Sequence, residues 1–82
     1  MEGYRRVWGD DSRCPMFDKS YDHKGWAVRR AKKMLESGEA VRAAVMKPVN
    51  GSFYTVVYCS GAMEALLLLC ELAIQKQLEA EH

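Results

Sequence analysis

The chain has 82 residues, 49% of them hydrophobic and 28% charged, with a formal net charge of +1. That length suits one domain, near the lower limit at which a single core suffices without disulfides or metals, and the apolar share excludes general disorder. The near-neutral total excludes a uniformly basic nucleic-acid binder, yet residues 1–33 carry +4, residues 34–59 are neutral and residues 60–82 carry −3.

The three cysteines, Cys14, Cys59 and Cys70, are odd in number and irregularly spaced. They fit neither a secreted disulfide framework nor a zinc half-site, and read as reduced thiols in a cytoplasmic protein. The charged start of the chain predicts no signal peptide. The aliphatic run at residues 65–70, bracketed by Glu64 and Glu71, is too short to span a bilayer, so no membrane partner is expected.

In chain order, residues 4–8 (Tyr-Arg-Arg-Val-Trp) are rich in β formers and predict an edge strand. Residues 9–21 mix Gly, Asp, Ser, Pro and Lys with Met16 and Phe17, and read as an ordered loop held by two apolar side chains. A first helix is predicted from near Asp22, whose carboxylate can cap free N–H groups, to just before Gly38, which suits the left-handed position after a helix. Val41 to Lys47 and Phe53 to Cys59 are β-rich. Asn50-Gly51 between them predicts a type I′ hairpin, because both residues tolerate positive φ. That turn sets Val45 opposite Val56, Ala43 opposite Tyr58 and Lys47 opposite Tyr54, with Ala44 and Val57, Met46 and Thr55, and Arg42 and Cys59 paired on the other face.

Ser60 predicts the N-cap of a last helix that runs to about Leu78. Its apolar surface is wider than one sheet face can cover: Glu64, Glu71 and Gln75 form the only clear polar strip. The surplus predicts a second cover. One candidate is the first helix, with Ala27 and Ala31 permitting close approach; the other is a second copy of the chain, meeting Ala65, Leu68 and Leu72 as a homodimer. The expected fold class is therefore α+β: a short antiparallel sheet of two or three strands with an Asn-Gly hairpin and two helices on one face, in the order β-α-β-β-α. Residues 1–82 form a single small interaction domain.

Groups suited to catalysis are few. The histidines are His23 and His82, and His23 lies beside Asp18 and Asp22 without a second His or Cys at ligand spacing. Asp10, Asp11 and Asp18 lack EF-hand spacing, and the six glycines are scattered singly, so no phosphate loop exists. Cys14 follows Arg13, which would lower its pKa, but no His partner completes a nucleophile. No enzyme, metal or cofactor is expected.

Binding chemistry is better represented. At about 100° per residue, Trp26, Arg29, Arg30 and Lys33 share one side of the first helix, while Ala27, Val28, Ala31, Met34 and Leu35 share the other. An exposed Trp among cations suits an anchor in a protein interface or a stacking platform beside phosphates. The alternative is a Trp26 folded back over its own helix or under the N-terminal segment. Arg5, Arg6 and Trp8 repeat the basic and aromatic pairing, and Tyr54, Tyr58 and Lys47 would line one hairpin face. The leading expectation is a partner that is a protein or nucleoprotein assembly; nucleic acid alone, bound by the same cations with Tyr54 and Tyr58, is the alternative.

The pattern Ala31-Lys32-Lys33 closing a helix, then Val45-Met46-Lys47, then Val49-Asn50-Gly51 and an aromatic and aliphatic strand, resembles the helix and hairpin portion of small phage-encoded anti-CRISPR proteins. The match covers about a third of the chain, and the Leu-rich last helix has no counterpart in it. The resemblance implies a non-enzymatic inhibitor of a CRISPR effector complex, and carries over no individual residue.

Overall fold

The structure, a computed structural model, describes residues 3–80. Its elements are β1 (Tyr4–Gly9), β2 (Met16–Tyr21), α1 (Lys24–Ser37), β3 (Arg42–Pro48), β4 (Tyr54–Cys59) and α2 (Gly61–Ala80). The chain is α+β as expected, but the sheet has four antiparallel-paired strands and the order is β-β-α-β-β-α.

The added strand is β2, expected from the sequence as part of an ordered loop. Its Asp18, Lys19 and Ser20 interrupt any apolar alternation, and a bulge between Phe17 and Ser20 shifts its register against β4. Such a polar, bulged segment gains strand geometry from its neighbour rather than from its own composition. Spatial order β1-β3-β4-β2 puts the two polar strands at the edges and the two apolar strands in the middle. Charged, bulged edges also discourage pairing with other chains.

The central β3–β4 register matches the sequence expectation from Arg42 with Cys59 through Met46 with Thr55; the ladder stops before Lys47 and Tyr54. The turn differs. Gly51 N–H donates to the Pro48 carbonyl at 3.2 Å, so the tight turn centres on Val49-Asn50, and neither Asn50 nor Gly51 has positive φ. Lys47 Nζ donates to the Gly51 carbonyl at 2.9 Å, and Val49 N–H to the Gly3 carbonyl at 2.8 Å. These ties hold a wider loop than a type I′ turn. Gly51 is needed there for proximity, because a Cβ at that position would collide with the Pro48 ring.

One face of the sheet is covered by α1. Ala27, Ala31 and Met34, at helical spacing, are fully buried against Ala43, Val45 and Val56. The two alanines let the helix approach the sheet, not α2. Asp22 does not cap α1: His23 occupies the N-cap position, without a side-chain cap bond, while Gly38 ends the helix at φ 81° as expected. The second face buries Ala44, Met46 and Val57 beneath Tyr4 and Cys14. There Asp10 N–H donates to the Ala43 carbonyl at 3.1 Å and holds the β1–β2 loop over the strands.

The expectation of two helices on one face is overturned. Among the described residues, α2 forms no packed layer with the sheet or with α1, and none of its residues is buried. It projects from the end of β4 and lengthens the molecule to 51 Å against 30 and 15 Å in the other directions. Cover of α2 by α1 therefore does not occur.

Candidate functional site

The outer side of α1 follows from its inner side. Burial of Ala27, Ala31 and Met34 fixes the helix rotation, which turns Trp26, Arg29 and Lys33 to solvent. Trp26 is 54% exposed. Its indole packs edge-on against the ring of His23, the N-cap residue of the same helix, with centroids 4.3 Å apart. That contact gives His23 a place in the surface, and restrains the indole without hiding it.

Two grooves flank the Arg29–Lys33 ridge. One, of about 770 Å³, runs between α1 and β1 and is lined by Trp8 with Lys24, Arg29, Lys32 and Lys33 against the single acid Glu36. The other, of about 450 Å³, lies toward β2 and is lined by Trp26 and Tyr21 with Lys19, Arg29, Arg30 and Lys33 against the single acid Asp22. Each groove thus offers one indole and several cations. This pairing of aromatic and cationic groups matches anionic partners that also present a flat or apolar element.

The expected site residues do not all play one part. Arg30 is half-withdrawn: its guanidinium meets Asp18 at 3.3 Å and Glu39 at 3.1 Å, and so ties α1 to β2 and to the loop after the helix. The Tyr21 hydroxyl donates to the same Asp18 carboxylate at 3.1 Å, and burial, reinforced by that carboxylate, pushes the phenol up. Arg29 and Lys33 make no ion pair among the described residues. Trp8 pairs with Val45 in the sheet, packs on the core and shows its remaining surface to the larger groove. Arg5 lies opposite Lys47 on the α1 side of the sheet, whereas Arg6 lies opposite Met46 on the other side and meets Asp11 at 3.7 Å. The N-terminal group is therefore split between the two faces.

Tyr54 and Tyr58 are partly buried against the core under α1, so the hairpin does not present them as an open stacking face. The aspartates are also dispersed. Asp10 accepts from the Ser12 N–H at 3.0 Å and its hydroxyl, and these bonds hold its carboxyl below the usual range. The expectation for Cys14 is reversed: burial pushes its thiol up, outweighing the opposite influence of Arg42, and Arg13 turns away to Glu71. His82 lies outside the described residues.

Lys19, Lys24 and Lys32 also line the grooves, beyond the site residues expected from the sequence. Lys24 and Lys32 are readable in retrospect, since they bracket Val28 at i−4 and i+4 and so share its helix flank. Lys19 is not, because it arrives through the bulged edge strand. Comparison of the chain with protein-family models, with curated proteins and with solved structures finds no match.

Proposed function

We propose that this protein is a non-enzymatic binding protein that blocks or adapts a larger assembly through the outer face of α1. The observation that carries this reading is Trp26, more than half exposed and flanked by Arg29 and Lys33, which make no ion pair among the described residues. A fold stabilised by ordinary burial has no use for an indole in that position, whereas interfaces draw much of their energy from such anchors. The partner presents an acidic surface with an apolar or planar element that accepts the indole. Inhibition of a CRISPR effector complex is the narrower form of this reading, supported by the sequence resemblance alone.

A second reading, a nucleic-acid-binding module, draws support from the two cation-lined grooves. Withdrawal of Tyr54 and Tyr58 under α1 weighs against it. Binding curves against single- and double-stranded nucleic acid at increasing salt separate the two readings. Several phosphate contacts would weaken steeply with salt, and absence of binding at low salt removes the second reading. For a protein partner isolated by affinity capture with the full chain, Trp26→Ala is expected to weaken affinity by about 2 kcal/mol, roughly thirtyfold. Unchanged affinity in that variant and in Arg29→Ala with Lys33→Ala rejects the α1 face as the contact surface.

A further inference from the structure

We infer that α2 is a self-association element that pairs antiparallel with α2 of a second copy. The first reason is its orientation. Glu64 and Glu71, seven residues apart on one side of the helix, are drawn to the body of the protein by Arg42 and Arg13 respectively. Arg42 also donates to the Ser12 carbonyl at 2.8 Å and the Arg13 carbonyl at 3.1 Å, which locks the loop beside the helix root. The polar strip is therefore turned inward and the apolar circumference outward, the reverse of an ordinary surface helix.

The second reason is extent. Leu66, Leu68, Leu69, Leu72, Ile74 and Leu78 each expose close to half of their surface or more, with Leu69 highest at 64%. Of these, Leu66 and Leu69 lie on the side opposite the two carboxylates and are 53% and 64% exposed, apolar surface of the kind that marks a contact.

The third reason selects the occupant. Directly opposite the Glu64–Glu71 strip, at spacings of four, three and four residues, lie Ala62, Leu66, Leu69 and Ala73. This small-large-large-small stripe reads the same in both directions. A two-fold axis between Leu67 and Leu68 sets Leu66 against the partner's Leu69 and Ala62 against the partner's Ala73. On the flanks it sets Ala65 beside the partner's Leu72, and Met63 beside the partner's Cys70. The overlap is then residues 61–74, in which Glu64 and Glu71 are the only charged or polar side chains, and the polar run Gln75-Lys76-Gln77 begins where the overlap ends. Pairing takes place on the side of each helix opposite the carboxylates that Arg42 and Arg13 hold. The charge of α2, three carboxylates against Lys76, suits neither an anionic membrane nor nucleic acid.

The test is sedimentation of the full chain, with a dimer mass expected at micromolar concentration. Leu66→Glu combined with Leu69→Glu is expected to give a monomer with an unchanged melting profile of the sheet, because both side chains are exposed in the single chain. Alignment is read by mild oxidation of Met63→Cys, which should join to the native Cys70 of the second copy as a covalent dimer, while the unsubstituted protein stays unjoined. A wild-type monomer, an open series of oligomers, joining through Cys70 alone, or flotation of the monomer with phosphatidylserine vesicles would each overturn the inference.

Discussion

The two helices obey opposite rules. In α1 the apolar stripe faces the sheet and the cations face water; in α2 two carboxylates face the body of the protein and the leucines face out. The first arrangement completes a core within one chain. The second leaves a hydrophobic surface uncompleted, and the difference shows that amphipathicity identifies the faces of a helix without saying which face the chain itself covers. It also separates two exposed surfaces: cations and an indole on α1, which is supported by the sheet, and leucines on α2, which projects from it.

The sharpest way to break the comparison is a charge in each helix. Ala31→Asp places an unpaired carboxylate between α1 and the sheet, and is expected to cost about 3 kcal/mol or more in denaturant unfolding. Leu69→Asp, on the exposed side of α2, should leave the unfolding of the sheet unchanged. Equal losses in the two variants would mean that α2 packs on its own chain after all.

Acid should act selectively on the root of α2. The hydrogen bond from Arg42 holds the Glu64 carboxyl below its ordinary 4.5, so its contribution is present above that pH and is lost as pH falls through the depressed value. Amide exchange in the first turns of α2 is expected to quicken below pH 4.5, relative to α1, beyond the intrinsic pH dependence. Glu64→Gln should remove that difference, and its persistence in the variant would place the titrating group elsewhere.

Smaller effects sharpen the account of each surface. Trp26→Ala should change stability by no more than about 0.5 kcal/mol, since the side chain is exposed. A loss of several degrees in melting temperature would make the indole part of the core. Alkylation at neutral pH, in the Leu66→Glu with Leu69→Glu monomer, should modify Cys70 first, Cys14 more slowly because it is partly covered and its thiol is pushed up, and buried Cys59 last, as followed by peptide mass mapping.

Much of the site was readable because it lies on one regular element. The spacing of Ala27, Ala31 and Met34 determines the rotation of α1, and with it the exposure of Trp26, Arg29 and Lys33. The ion pairs of Arg30 have no sign in the helix pattern, because its partners, Asp18 and Glu39, arrive from β2 and from a loop. Lys19 was missed for the same reason, and Arg42 and Arg13 gave no local sign that they would hold α2.

What the residues determine alone are features set by neighbours in the chain: the span of α1 and its Gly38 end, the Ser60 cap of α2, where Met63 N–H donates to the Ser60 hydroxyl at 3.1 Å, and the β3–β4 register. The register survived a different turn because a slip of one residue would turn Val45 and Val56 out of the core. Tertiary structure alone decided the β2 strand, the split of Arg5 from Arg6 and the outward leucines of α2. Each of these depends on a partner distant in sequence, and the energy of such contacts has no local signature to read.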